Sequence, residues 1–195
     1  MLAIFVFTAC GSKDSEYGPE GKANGTAVIE NIMTRASVRQ YTGKAVPEDT
    51  VKIMLKAAMA APSAVDKRPW TFVVLKEQAK RDKIGAAISG VGDKTKTAGA
   101  VILVCGNKER FLETQPEYWV QDCSAATENL LLAAHALKLG AVWCGVYPDE
   151  GRVKDVQDIL GLPENIIPLN VVTIGYPTAL QNPKDKWDES NIITI

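Results

Sequence analysis

The stretch Arg35-Ala36-Ser37-Val38-Arg39 places a guanidinium group on each side of a hydroxyl group. In an extended backbone the three polar side chains lie on one face, because strand side chains alternate with a period of two. Each guanidinium presents paired, planar donors that suit the oxygens of a phosphate. The stretch therefore indicates a small anion-binding site. Two solvated charges that follow a helix are the alternative interpretation.

The composition of the chain requires that any anion site be local. Of its 195 residues, 46% are hydrophobic and 23% are charged, which is ordinary for one globular domain. The net charge is −1, and no basic run is long enough to indicate a nucleic-acid partner. An anion would have to be neutralised by a few basic residues that the fold brings together.

The cysteines and the histidine do not form a metal-binding pattern. The four cysteines include no C-x-x-C pair, and the only histidine, His135, lies far in sequence from any plausible ligand set. We therefore expect no metal site. Cys105 and Cys144 lie in apolar runs and are predicted to be core residues, and His135 is predicted to lie in the core or an interface.

The first ten residues resemble the end of a bacterial lipoprotein signal. They are apolar and end in Phe7-Thr8-Ala9-Cys10, although no basic segment precedes them. The following polar, glycine-rich residues have the composition of a flexible tether. We expect residues 1–24 to be signal and tether, residues 25–195 to form the folded domain, and Cys10 to carry a lipid anchor in the cell envelope. The alternative is an unprocessed N-terminus on a cytoplasmic protein.

Hydrophobic periodicity predicts helices interleaved with strands from about Thr26 onward. A helical stripe of Val28, Ile29, Ile32 and Met33 ends just before Arg35. Further helices are predicted at about 47–60, 77–89, 121–139 and 149–160, and strands at 71–75, 100–104, 141–145 and 169–174. This order implies an α/β or α+β domain with a central sheet.

Five short motifs follow one another along the chain. They are Arg35-x-Ser37-x-Arg39, Ala61-Pro62-Ser63 leading to Pro69-Trp70, the apolar run 129–134 followed by Leu139-Gly140, Gly175-Tyr176-Pro177, and Lys184-x-Lys186. In this order, residues 26 to 187 resemble the FMN-dependent nitroreductase family. The resemblance implies an α+β fold with three α-β-α layers and a mostly antiparallel central sheet. It also implies an obligate homodimer with two FMN molecules at the interface, each held by both chains.

The resemblance assigns the phosphate end of the cofactor to four residues. Arg35 and Ser37 match positions that hold ribityl or phosphate oxygens, and Lys184 and Lys186 would complete the site from the tail. A phosphate dianion in a partly desolvated site needs such local positive charge.

The resemblance also assigns residues to the flavin ring. Arg39 matches a basic residue beside the N1–C2 carbonyl edge, where negative charge develops on reduction. The backbone N–H of Cys144 or Gly145 would face flavin N5, and the Cys144 thiol need not react. Ser63, which follows Pro62, matches a position that contacts FMN from the partner subunit.

Two residues depart from the family pattern. Asp66 and Arg68 stand where the family usually has Asn and Gln. An ionised Asp accepts hydrogen bonds but donates none. These side chains therefore either contact the flavin in a different way or pair with each other.

The resulting prediction is an FMN oxidoreductase. Reduced nicotinamide, NAD(P)H, would deliver hydride, leave, and be replaced by a nitroaromatic, a quinone or a similar electron-poor acceptor in a ping-pong cycle. Phe111, Tyr118 and Trp119 lie in a segment that would cover the flavin, or they are ordinary core and surface aromatics. The alternatives are another FMN reaction (reductive dehalogenation, flavin cleavage or oxidation) and a non-catalytic flavin-binding lipoprotein.

Overall fold

Helices and strands alternate along residues 19–195, the part of the chain that the computed structural model describes. The helices are α1 (Pro19–Thr34), α2 (Glu48–Met59), α3 (Gln78–Ala87), α4 (Lys94–Thr97), α5 (Tyr118–Ala136) and α6 (Glu150–Leu160). The strands are β1 (Trp70–Val74), β2 (Ala100–Asn107), β3 (Gly140–Gly145) and β4 (Ile166–Gly175). Within the described residues, no helix has the length and apolar character needed to cross a bilayer. Cys10 and the predicted signal lie outside them.

The strands form one sheet in the order β1-β2-β4-β3, and each neighbouring pair is antiparallel. The long strands β2 and β4 form the centre, with Val101 opposite Thr173, and β1 and β3 are the edges of the sheet. A shift in register separates Val104 from Cys105. The sheet is the antiparallel one that the resemblance implied.

Helices cover both faces of this sheet. Ile102 and Val104 of β2 pack on one side with α2 and α5, whereas Val101 and Leu103 pack on the other side with α3 and α6. Successive strand side chains point to opposite faces, so an uninterrupted apolar strand can serve two cores at once. The three-layer α-β-α prediction is confirmed.

Several element boundaries differ from the sequence prediction; α5, for example, spans Tyr118–Ala136 instead of about 121–139. Strand β4 begins at Ile166 rather than Leu169 and includes Pro168. Pro168 lies opposite Cys105, at the shift in register, where the missing N–H of a proline is tolerated. Helix α1 begins at Pro19, inside the segment expected to be a tether.

The predicted stripe on α1 is helical, but it does not join the core of this chain. Val28, Ile29, Ile32 and Met33 are all exposed, Met33 to 71%. Among the helices and strands of residues 19–195, α1 makes substantial contact only with α5. An apolar face of this size that stays in water is characteristic of a surface that another molecule covers.

Candidate functional site

Three basic side chains from opposite ends of the described chain line one cleft. Arg35 directly follows α1, whereas Lys184 and Lys186 lie in the extended tail after β4. The cleft holds about 650 Å³ and is also lined by Ile32, Met33, Glu128, Pro183, Asp185 and Trp187. Three of the residues predicted to hold the phosphate are thus brought together by the fold. We call this space the phosphate cleft.

Arg35 is the most shielded cation of the phosphate cleft. Its side chain is 18% exposed, and its Nε lies 3.2 Å from Oε1 of Glu128 on α5. Glu128 engages the Nε side, so among the described residues the two terminal nitrogens of Arg35 are left for another acceptor. Three cations and two carboxylates line the cleft, which gives it a net positive charge suited to a phosphate.

The segment 35–39 is held against the start of β3. Ser37 forms a parallel bridge with Ala141, and the N–H of Val38 donates to the carbonyl oxygen of Ala141 at 3.0 Å. Val38 packs so closely on Gly140 that a Cβ there would lie 2.5 Å from the Cβ of Val38. Glycine at position 140 therefore allows the Arg–Ser–Arg segment to lie alongside the sheet.

Arg39 lines a different cleft from Arg35, and there it meets Lys94. This second space holds about 500 Å³ and is also lined by Gln40, Tyr41, Asp93, Thr97 and Thr178. The ammonium of Lys94 donates to the carbonyl oxygens of Gly90 at 2.9 Å and Val91 at 3.2 Å. Because Asp93 pairs with Lys96, Lys94 has no carboxylate partner among the described residues. We call this space the two-cation cleft.

Lys94 was not singled out in the sequence. It lies on the short helix α4 between α3 and β2, in a glycine-containing segment where the sequence predicts neither a helix nor a strand. A lysine there has no periodic partner, and only the folded chain places it beside Arg39.

Cys144 lies close enough to the two-cation cleft for the charges of Lys94 and Arg39 to act on its thiol. Its thiol is buried and donates to the carbonyl oxygen of Gly90 at 3.2 Å. Burial raises the pKa of Cys144 above its ordinary value, although the charges of Lys94 and Arg39 act in the opposite direction. The thiol is therefore neutral and a poor nucleophile, as a residue that contributes only its backbone should be.

Gly145 ends β3 next to this buried thiol. It is exposed, and a Cβ at this position would meet no atom within 4 Å. The edge of the sheet is therefore open where the sequence predicts the flavin ring. An approaching flat group would meet backbone, with no side chain at position 145 in its way.

The loop Ser63–Arg68 forms a separate group of predicted site residues. Pro62, Ser63, Asp66 and Arg68 line neither the phosphate cleft nor the two-cation cleft. The N–H of Ala64 donates to Oδ1 of Asp122 on α5 at 2.9 Å, which anchors the loop. Within one chain the predicted site is thus divided, as expected if the loop serves the partner subunit.

Asp66 and Arg68 pair with each other, which is one of the two alternatives that the sequence left open. Nε of Arg68 donates to Oδ1 of Asp66 at 2.7 Å, and Nη2 of Arg68 donates to Oδ2. Hydrogen bonding to the Arg68 guanidinium holds the pKa of Asp66 below its usual value. The carboxylate is therefore ionised at neutral pH, and both of its oxygens are engaged.

The aromatic segment is divided between core and surface. Trp119 is 3% exposed, stacks on Phe111 at 5.4 Å and meets Tyr147 edge-on at 4.9 Å. It packs over Gly106, where a Cβ would lie 2.4 Å from the indole. Trp119 is therefore a core residue of this chain, while Tyr118 next to it is exposed.

Comparison with known proteins agrees with this fold. The model of the nitroreductase family matches residues 32–105 and 92–176. A Methanothermobacter thermautotrophicus protein, described as a candidate NADH dehydrogenase/NAD(P)H nitroreductase, is 43% identical over 173 residues, 89% of each chain. A crystal structure from Bacteroides thetaiotaomicron with the same description has 44% identity and a TM-score of 0.81, covering 86% of this chain and 96% of that one.

A further solved structure contains a cofactor. It is a candidate nitroreductase from Desulfovibrio desulfuricans in complex with FMN, with 28% identity and a TM-score of 0.75. The match covers 86% of this chain and 96% of that one. From the family match and these relatives, the chain belongs to the nitroreductase family.

Proposed function

We propose that this protein is an FMN-dependent oxidoreductase that passes hydride from NAD(P)H to an electron-poor acceptor such as a nitroaromatic or a quinone. The observation that carries the proposal is the convergence of Arg35, Lys184 and Lys186 on one cleft, in a chain of the nitroreductase family with a net charge of only −1. Two carboxylates of this cleft balance part of its positive charge, and the net positive charge that remains favours binding of an anion. The FMN-bound relative supports a flavin phosphate as that anion.

The chain's own residues divide the work of binding such a cofactor. Arg35, Lys184 and Lys186 would hold the phosphate, with Arg35 oriented by Glu128. Ser37, bridged to the start of β3, would contribute to the ribityl contacts. The phosphate would then be bound near Arg35, at one end of the 35–39 segment, and the ring near Arg39, at the other end.

The two-cation cleft is suited to the reactive end. The chemistry that FMN supplies is hydride transfer, from NAD(P)H in one half-reaction and to the acceptor in the other. Arg39 and Lys94, which are already oriented by backbone carbonyls, would stabilise negative charge that develops on the ring during reduction. The backbone at Cys144 and Gly145 would hold the ring, and no side chain of this set would have to transfer a proton.

The site is completed by a second copy of the chain. The apolar stripe of α1 is exposed, and so are Leu180, Trp187 and Ile193 in the tail, Leu180 to 94%. The loop Ser63–Arg68 lies away from both clefts of its own chain. A homodimer would cover these apolar surfaces and bring the loop of one protomer to the cofactor of the other.

A flavin assay tests the proposal directly. Purified protein should carry a yellow flavin, lose its absorbance with NADPH or NADH, and regain it when a nitroaromatic or a quinone is added. Protein that is colourless and stays empty when FMN is supplied would contradict the assignment. A bound flavin that neither nicotinamide reduces would indicate a non-catalytic binding protein, and reoxidation by halogenated aromatics alone would indicate dehalogenation.

The location of the enzyme is a separate part of the proposal. The Phe7-Thr8-Ala9-Cys10 pattern supports a lipid anchor on Cys10 and a place in the cell envelope. Nicotinamide donors are scarce outside the cytoplasm, so an anchored enzyme would need electrons from another donor. Fractionation of cells grown with labelled palmitate decides the matter. Label that is absent from the wild type would favour a cytoplasmic protein, and label that persists in Cys10→Ala would show that Cys10 is not the lipidated residue.

A further inference from the structure

The loop Ser63–Arg68 has a backbone that side chains normally avoid. Val65, Asp66 and Arg68 have φ angles of 49°, 55° and 49°, in the left-handed region. Asp visits this region with some ease, but Val is β-branched and rarely does. Val65 is also 79% exposed, so packing of its side chain does not account for its conformation. A strained backbone of this kind persists only where the surroundings determine it, and such loops cluster at functional sites.

Hydrogen bonds within the loop stabilise part of this backbone conformation. The N–H of Asp66 donates to the carbonyl oxygen of Ser63 at 3.1 Å, and the N–H of Lys67 donates to that of Ala64 at 3.0 Å. The N–H of Arg68 donates to Oγ of Ser63 at 2.9 Å. These bonds close the turn, but none of them restrains the side chains that project from it.

The ion pair supplies the remaining restraint. Asp66 and Arg68 are two residues apart, and their bidentate contact requires both side chains to leave the backbone on the same side. Both residues have left-handed backbone conformations, and the bidentate contact forms across this part of the loop. The pair is also neutral as a whole, so it brings no net charge toward an anionic cofactor.

We propose that Asp66 and Arg68 are positioning residues: their ion pair sets the shape of the Ser63–Arg68 loop before FMN binds, in place of direct contacts with the flavin. The proposal rests on the function proposed above, because it concerns the loop that would meet the cofactor of the partner subunit. Both carboxylate oxygens of Asp66 are already engaged by Arg68. The family pattern of Asn and Gln at these positions is then a neutral alternative in which neither residue leaves an unpaired charge.

The test uses the full chain with three changes: Asp66→Asn, Arg68→Gln and the double variant. Glu48→Gln is the matched control, because Glu48 forms an equally exposed ion pair with Lys76 elsewhere on the surface. Hydrogen exchange of the backbone N–H groups of residues 63–68 is measured by mass spectrometry, with and without FMN. FMN affinity is measured by the quenching of flavin fluorescence.

Each single variant should exchange these N–H groups about two- to fivefold faster in the flavin-free protein, which is the range for an exposed ion pair. FMN affinity should weaken by a similar factor. In the double variant, the changes in exchange rate and in FMN affinity should be smaller than the sum of the changes in the two single variants, because no unpaired charge is left. High salt, about 1 M, should make the wild type resemble the single variants. Glu48→Gln should leave both measurements unchanged.

Three results would overturn the proposal. The first is that the N–H groups of residues 63–68 exchange at the wild-type rate in both single variants. The second is that the effects of the two substitutions on exchange and affinity are additive in the double variant. The third is a loss of FMN affinity without faster exchange in the flavin-free protein, which would mean that Asp66 or Arg68 contacts the flavin directly. Since the exchange measurement needs no flavin, it decides the proposal even if the protein proves not to bind FMN.

Discussion

Nε of Arg35 lies 3.2 Å from Oε1 of Glu128, and this contact joins the end of α1 to α5 at the wall of the phosphate cleft. Glu128 orients the guanidinium but also places a negative charge beside the cations that would hold a phosphate. The two effects can be separated, because a glutamine at this position keeps an oxygen acceptor for Nε and removes the charge.

Glu128→Gln should therefore tighten FMN binding by about fivefold, equivalent to about 1 kcal/mol for a charge near the protein surface. Arg35→Gln should weaken it. Equilibrium titration with FMN and with riboflavin, which lacks the phosphate, checks both changes. Riboflavin affinity should not respond to Glu128→Gln, and equal shifts for the two ligands would show that Glu128 acts on the flavin ring or on the fold.

Lys94→Gln should lower the two-electron reduction potential of the bound flavin. The ammonium is fixed by two backbone carbonyls beside Arg39 and has no carboxylate partner among the described residues. Removing a charge that favours the reduced form by about 1.4 kcal/mol corresponds to about 30 mV. Spectroelectrochemical titration measures the potential. Lys83→Gln, on the exposed face of α3 and away from both clefts, is the control and should leave it unchanged.

Met33→Glu should convert the protein from dimer to monomer and empty the flavin site. The side chain lies in the exposed stripe of α1, and a carboxylate buried in an apolar interface without a partner is costly. Light scattering coupled to size-exclusion chromatography reports the mass. Lys83→Glu on the exposed face of α3 introduces the same group and should stay dimeric. If Met33→Glu remains dimeric and binds FMN with unchanged affinity, the dimer interface lies elsewhere.

Stability should fall as the pH drops below the ordinary pKa of histidine, about 6.5. Nε2 of His135 lies 3.0 Å from the Thr34 hydroxyl, and that hydroxyl donates its proton to the carbonyl oxygen of Glu30 at 2.7 Å. His135 Nε2 therefore carries the hydrogen of this contact. Burial lowers the pKa of His135, and the charges of Lys138 and Arg35 lower it further.

A lowered folded-state pKa means that the unfolded chain takes up a proton at a higher pH than the native protein does. The stabilisation is present above the ordinary pKa and is lost as the pH falls through the folded-state value. Thermal unfolding of the flavin-free protein between about pH 7.5 and 5 measures the loss. His135→Gln keeps a donor near Thr34 but does not titrate, so its melting temperature should vary less over this range. Parallel curves for the two proteins would contradict the expectation.

Local patterns in the chain were enough to predict most helices and strands. The spacing of Val51, Met54 and Ala58 predicts the buried face of α2, and all three are buried. The apolar run at Ala100 predicts β2, because a strand between two helical layers is apolar at every position. These signals come from neighbouring residues, and their physical cause is the periodicity of the backbone itself.

Predictions that depended on partners elsewhere in the chain were less complete. The sequence allows Trp119 either to cover the flavin or to lie in the core. The structure places it in the core, because its indole packs closely on Gly106 of β2. The sequence predicts the α1 stripe as a helix, but it does not show that this stripe stays exposed among the described residues. Both outcomes depend on long-range packing, which leaves no periodic signal.

The sequence by itself determined the order of the longer helices and strands, the resemblance to the family and the basic residues of the phosphate cleft, but not Lys94. Only the tertiary structure decided that Arg35 meets Lys184 and Lys186, that Arg39 meets Lys94 instead, and that Asp66 pairs with Arg68. The physical reason is that backbone periodicity acts over a few residues. The meeting of distant side chains depends on how the sheet and its covering helices pack.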